Sequence, residues 1–292
     1  FFEQPGTVQM LFIIGIIVVF GSVGWGFVLS HGQLAALWQP FEVMIIMGAA
    51  IGAYLISNPF HLIIDSLKLM PQVILGSKVD KAMCLDVLSL IYDILNKSRR
   101  EGMMAIESDV ENPHSSAIFA RYPAILMNDA LARFIADYFR IISSGNLASH
   151  ELEALMDQEI DARLHELEQP GSALGKVADA LPGFGIVAAV LGIVITMASI
   201  GGDPAVIGQH VAAALVGTFM GVLFAYGLVG PISTRMKHIA EDEIKLYDAA
   251  KASIIASMNG LAPQLAIEFG RKSLFTHGRP SFDEVDSKVR GR

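Results

Sequence analysis

The stretch Ala180-Leu-Pro-Gly-Phe-Gly-Ile-Val-Ala-Ala-Val-Leu-Gly-Ile-Val-Ile-Thr-Met-Ala-Ser-Ile-Gly-Gly202 carries no charge and is bounded by Asp179 and Asp203. About 20 apolar residues in helical conformation cross a hydrocarbon core of roughly 30 Å, so the stretch reads as a membrane span. Three further runs pass the same length test: Leu11 to Ser30, Val43 to Ile64 and Pro204 to Thr234. Among Asp, Glu, Lys, Arg and His, these three hold only His61 and His210. Four such runs are hard to bury inside one globule, which argues against a soluble enzyme with internal helices. The composition agrees: 53% of the 292 residues are hydrophobic and 17% are charged, below the roughly 25% of ordinary soluble domains.

The basic residues order the chain about the membrane. All 21 Lys and Arg fall in Lys68–Lys176 and Arg235–Arg292. The short segments His31–Pro40 and Gly201–Gln209 have none. Basic segments stay in the cytoplasm, so four spans place both blocks inside, with two short outer loops. The expected class is therefore an all-α polytopic inner-membrane protein with four transmembrane helices and a helical cytoplasmic domain. The expected boundaries are spans at 10–31, 41–64, 180–202 and 208–234, a cytoplasmic domain at 65–178, and a cytoplasmic helix and tail at 235–292. Residues 1–9 precede Met10, a natural start, and read as an N-terminal extension or remnant. They hold no basic residue, so a retained first helix is expected rather than a signal peptide. Cys84 stands alone, which excludes a disulfide within the chain.

The cytoplasmic parts read as helices. Met83, Val87, Leu88, Leu90, Ile91, Ile94 and Leu95 fall at helical spacing within Lys81–Arg100. Another helix is expected over Pro123–Ser143, an acidic one over His150–Glu168, and a tail helix over Met236–Phe269; the chain from Pro280 onward reads as loosely structured. Lys97, Arg99 and Arg100 stand close in sequence to Glu101, Glu107, Asp109 and Glu111. Taken alone, these charges weigh toward a solvated hairpin with ion pairs of about 0–1 kcal/mol each. The other reading is a bipolar docking face that steers a charged partner.

Runs three and four are rich in small residues. Gly217 and Gly221 form a GxxxG, and Gly185 and Ala189 a small-xxx-small pair, the pattern that lets helices approach closely in lipid. The pattern serves packing within the chain and a seam with another subunit equally well. Pro182 and Pro231 lie near the inner ends of these runs, where a kink is expected at Pro231. No Asp, Glu, Lys or Arg is expected mid-membrane; Glu42, Asp65, Asp179 and Asp203 read as boundary residues. Ion movement through lipid needs an intramembrane ionisable group. A partner would therefore supply it, with this chain adding hydroxyls such as Thr196 and Thr218. No HExxH, GxSxG or P-loop is present, so no enzyme, metal site or cofactor is expected.

Several motifs, in order, carry a resemblance. Ala36-Leu-Trp-Gln-Pro-Phe-Glu42, Lys97-Ser-Arg-Arg-Glu-Gly-Met103, Asp109-Val-Glu-Asn-Pro113 and Leu181-Pro-Gly-Phe-Gly-Ile-Val-Ala-Ala189 come first. Val216-Gly-Thr-Phe-Met-Gly221, Ala225-Tyr-Gly-Leu-Val-Gly-Pro231, Glu268-Phe-Gly-Arg-Lys272 and Arg279-Pro-Ser-Phe282 follow. Together they resemble the MotA family of flagellar stator subunits, from Met10 to about Arg290. The resemblance implies a homopentamer around two copies of a MotB-like partner whose Asp binds the ion, pushing on the rotor protein FliG. It implies an ion path at Thr218 and Ala189, conformational coupling at Pro182 and Pro231, and rotor contact through Arg99 and Glu107. It also turns the charged hairpin toward the docking reading. Sodium-driven relatives carry a threonine where this chain has Ala189. A hydroxyl can replace part of a hard cation's water shell, so Ala189 favours H+ as the transported ion, with Na+ the alternative. No nucleic-acid partner is expected. The rival readings are an ExbB/TolQ-type energiser of outer-membrane processes, a passive membrane scaffold and a membrane-embedded hydrolase.

Overall fold

A computed structural model of the chain describes residues 5–145, 147–198 and 200–291. The described residues form helices and connecting turns, with no strand among them. The helices are α1 (Pro5–Leu29), α2 (Pro40–Ser57), α3 (Phe60–Leu75), α4 (Lys81–Glu101), α5 (Glu107–Glu111), α6 (Pro123–Met127), α7 (Asp129–Ser144), α8 (Ser149–Ala198), α9 (Pro204–Phe224), α10 (Gly230–Met258), α11 (Pro263–Ser273) and α12 (Phe282–Arg290). Four stretches are long and apolar enough to cross a membrane: Gln9–Leu29, Leu34–Ser57, and windows within Ser149–Ala198 and Pro204–Met258. The chain divides into two compact units.

The polar unit comprises residues 77–166 and 240–291. Its helices begin and end where the sequence supplies caps. Asp80 accepts from the Met83 amide at 2.7 Å and starts α4. Gly102, at φ 91°, ends it in a conformation that favours glycine. Asn128 caps α7 through the Leu131 amide, and Gly145, in the left-handed region, closes it. The core is built from Val87, Leu88, Leu90, Ile91 and Ile94 of α4, Phe134, Ile135, Tyr138 and Phe139 of α7, Leu152 and Met156 of α8, and Leu246, Tyr247 and Ile254 of α10. Phe134 meets Tyr138 and Tyr247 edge-on, with ring centroids 4.8 and 4.9 Å apart, a geometry that aligns ring edges with ring faces. Cys84 is buried in this core. Burial, reinforced by Asp80 and Asp242, pushes its thiol up to about 12.

The C-terminal signature has a structural explanation. Arg271 is buried, grips the Glu268 carboxylate with two nitrogens and donates to the Pro280 carbonyl at 3.0 Å. Arg279 donates to the carbonyls of Leu274 and Lys272. Ser281 and Glu284 form a reciprocal capping box that starts α12. Lys81 and Lys288 then pair with Glu284 and Asp86, tying α12 to α4. The chain after Pro280 is therefore a docked helix and not the loose segment the sequence suggested. Likewise the tail helix does not run unbroken to Phe269: it stops at Met258, with Gly260 at φ 86°, and α11 restarts at Pro263.

The apolar unit comprises residues 5–76 and 167–239. Ile46 and Ala50 of α2, Leu181 and Ala188 of α8, and Ala225 form one buried cluster, flanked by Phe184, Met220 and Phe224. Val73 of α3 with Met236 and Ile239 of α10 form a second, against Phe12, Leu69 and Leu174. Three features differ from the sequence reading. The second apolar run does not continue as one helix to 64. Asn58 and Pro59 are extended and break it, because proline cannot continue the hydrogen-bond ladder. The acidic helix and the third apolar run are one 50-residue helix, α8, which continues through Pro170 and Pro182. Each proline forfeits one backbone bond. Finally, the irregularity expected at Pro231 lies one turn earlier. Residues Ala225–Val229 form a π-turn in which Gly230 donates to the Ala225 carbonyl, five residues back. A Cβ on Gly230 would lie 2.9 Å from that same oxygen.

Candidate functional site: a bare-backbone seam and an exposed charged face

Within the apolar unit, α8 and α9 touch along their backbones. A Cβ added to Gly185 would lie 3.0 Å from the Gly217 carbonyl and 3.3 Å from the Thr218 Cα. One added to Gly221 would lie 2.7 Å from the Leu181 carbonyl and 2.9 Å from the Gly185 Cα, and one on Gly192 would lie 3.0 Å from the Ala214 Cβ. The small residues therefore serve packing within the chain over several turns. This geometry brings together three of the residues singled out above. Ala189 sits across from Gly217, its amide 3.5 Å from a Cβ placed there. Thr218 follows Gly217 on α9. Pro182 follows Leu181, whose carbonyl meets Gly221. Ala189, Thr218 and Pro182 are each half-buried, while Pro231, the second residue of α10, is exposed. Thr196 is buried and donates to the Gly192 carbonyl at 2.8 Å, the usual fate of a hydroxyl within a helix.

Glu42 of α2 approaches α9 at Gly217. Its Cγ is 3.6 Å from a Cβ placed on Gly217, which is about 20 Å along α9 from Pro204 at 1.5 Å per residue. Which residue of α9 it meets is set by where α2 packs, and no sequence pattern encodes that. The Glu42 Oε2 is buried and accepts no hydrogen bond among the described residues, and the His210 Nδ1 is in the same condition.

A second close approach was not anticipated. Ser233 of α10 donates to the Gly171 carbonyl of α8 at 2.8 Å. A Cβ on Gly171 would crowd the Ser233 carbonyl at 3.0 Å, and one on Gly175 the Ser233 hydroxyl at 3.0 Å. Gly171 and Gly175 are four apart, the same spacing as Gly217 and Gly221, but they lie outside the apolar runs where such pairs were sought.

In the polar unit the charged hairpin splits into two parts. Lys97 pairs with Asp109 at 2.7 Å, and Ser116 donates to the other Asp109 oxygen at 2.6 Å. The Ser116 hydroxyl in turn accepts from the amides of Ile118 and Phe119. Asp93 accepts from the Tyr122 hydroxyl at 2.8 Å, and Arg140 donates to the Val110 and Glu111 carbonyls. These bonds fold residues 102–122 onto α4 and α7. Arg99, Arg100, Glu101, Glu107 and Glu111 are left exposed. Lys97 and Asp109 thus belong to the scaffold, and Arg99 and Glu107 to the surface it presents. No cluster of His, Cys, Asp or Glu among the described residues could hold a metal ion.

The family model Motility protein A N-terminal matches residues 13–102, and MotA/TolQ/ExbB proton channel family matches residues 126–249. Motility protein A of Salmonella typhimurium is 44% identical over 96% of this chain and 95% of its own length. Among solved structures, the fold is similar to Campylobacter jejuni MotAB, with a TM-score of 0.73 and 18% identity over 92% of this chain and 97% of that one. It is also similar to the flagellar MotAB stator complex of Bacillus subtilis, with a TM-score of 0.69 and 21% identity over 94% of this chain and 97% of that one.

Proposed function

The chain belongs to the Motility protein A family, and from that premise we propose that this multi-pass inner-membrane protein is a flagellar stator subunit that conducts protons with a MotB-like partner and turns the flow into torque. The observation that carries the reading is the α8–α9 seam, where Ala189 and Thr218 stand on opposite helices with almost no side-chain volume between the backbones. MotAB complexes of this fold support a MotB-like partner, taken here as two copies within a pentamer of this chain. The partner's Asp would bind the ion. The distribution of Lys and Arg supports a cytoplasmic location for the polar unit.

In this reading a proton neutralises the partner's carboxylate and relaxes its hold on the seam. The helices then shift about Pro182 and about the π-turn beside Pro231, where the ladder is already irregular. Arg99 and Glu107 engage complementary charges on FliG. Ala189 offers no hydroxyl oxygen to a sodium ion, which favours the proton. The ExbB/TolQ-type alternative is not favoured, because the near full-length identity is with Motility protein A.

The test is rotation of tethered cells that lack their own stators and express this chain with its partner. Speed should ignore external sodium at fixed pH and voltage and collapse with a proton uncoupler. Dependence on sodium would sink the ion assignment. In the same assay Pro182→Leu and Pro231→Leu should rotate slowly while the partner still co-purifies; normal speed would remove the coupling role.

A further inference from the structure

Glu42 is the one carboxylate among the described residues with a buried oxygen that accepts no hydrogen bond. It belongs to the first turn of α2, where a carboxylate ordinarily complements the helix's own amides. Its Cγ lies instead 3.6 Å from where a Cβ on Gly217 would stand, and that position is also 3.3 Å from the Ala188 Cβ and 3.5 Å from the Ala189 amide of α8. The Glu42 side chain therefore reaches the place where α2, α8 and α9 meet, at the residue that faces Ala189 and precedes Thr218.

The surroundings contain few other charges. From Leu181 to Ala198, α8 has no ionisable residue, and the 3-10 turn Leu34–Leu37 has none. On α9 the only titratable residue is His210. It lies two turns nearer Pro204 than Gly217, on the same helix face. The buried carboxyl oxygen has no donor among the described residues, and no Lys or Arg stands on these elements.

We propose that Glu42 is a proton-carrying group of the ion path, loaded from the outer side past His210 and unloaded to the carboxylate of the MotB-like partner. This inference rests on the proton-driven stator reading above. In the loading step hydronium gives its proton to the Glu42 carboxylate, leaving water and the neutral acid. In the unloading step the acid gives the proton to the partner's carboxylate, and Glu42 returns to the anion. Glu42 thereby sets how readily the path fills from outside, while the partner's Asp remains the group that drives the step.

The experiment uses the full chain with its partner and reads low-load rotation speed against external pH at fixed voltage. Glu42→Gln keeps size and hydrogen bonding and removes the exchangeable charge, and Glu42→Asp keeps the charge. The expected result is a several-fold loss of speed in Glu42→Gln at alkaline external pH that acidification restores. Glu42→Asp should follow the wild-type profile. A Glu42→Gln profile that overlays the wild type, or is lowered equally at every pH, overturns the proposal. So does failure of Glu42→Gln to co-purify with the partner, which would make the carboxylate an assembly contact. Failure of the stator reading is separable: wild-type rotation would then persist in uncoupler whatever residue stands at 42.

Discussion

At the scale of single residues, two glycines of α9 with the same chemistry face opposite demands. A methyl on Gly221 would meet backbone atoms of Leu181 and Gly185, and backbone cannot rotate aside. Gly221→Ala should force α8 and α9 apart and cost about 1–3 kcal/mol, the usual penalty for overpacking. Gly208 has open space around its Cα, so Gly208→Ala should be neutral. Thermal unfolding of the detergent-solubilised protein compares the two, and equal melting would disprove the seam's rigidity. The charged hairpin gives a similar contrast. Lys97→Ala would leave Asp109 buried with Ser116 as its remaining side-chain partner, costing about 1–3 kcal/mol. Arg99→Ala and Glu107→Ala alter exposed side chains and should leave the melting temperature unchanged while lowering torque. Destabilisation by Arg99→Ala would return that residue to the scaffold. The sequence could not make this division. It showed the charges as neighbours along the chain, and burial of Asp109 depends on residues 102–122 folding back.

At the scale of elements, α12 is fastened by ion pairs as well as by the burial of Val285 and Val289. The Lys81 ammonium, then the Ser281 amide, hold the Glu284 carboxyl at about 2, below its ordinary 4.5. The Arg271 guanidinium holds Glu268 low in the same way. A depressed folded value means that these contacts stabilise the protein at neutral pH. The Glu284 contribution is lost as pH falls from about 4.5 toward about 2, and the Glu268 contribution likewise falls away below its ordinary range. Proteolysis near α12 should therefore rise over that interval, and Glu284→Gln should show the same susceptibility already at neutral pH. Protection of the variant at neutral pH would mean that Val285 and Val289 alone hold the helix. The capping box Ser281–Glu284 was visible in the letters, yet the segment reads as loose because its apolar residues are only Phe282, Val285 and Val289. The break at Asn58–Pro59 was also visible, but a hydropathy window of about 19 residues averages across it.

At the scale of the whole molecule, the four spans were legible because a membrane selects on composition and length, which any sequence displays. The small-residue seam was legible in kind, though its partner helix was not. The approach of Glu42 to Gly217 and the pairing of Gly171 and Gly175 with Ser233 were not legible, since both depend on which helices meet. The single chain also leaves much apolar surface uncovered, with Ile56 89% exposed and Trp25 69%. That area suits lipid and neighbouring subunits better than water.

The lone thiol has a practical consequence. Maleimides and disulfide reagents attack the thiolate, and Cys84 is both enclosed and held protonated far above neutral pH. The native protein should therefore resist such reagents at neutral pH. A single cysteine introduced on an exposed position without an assigned role, such as Ser108, becomes the favoured attachment point for a dye or spin probe, without first replacing Cys84. Motion of the charged face could then be followed in an otherwise unaltered chain.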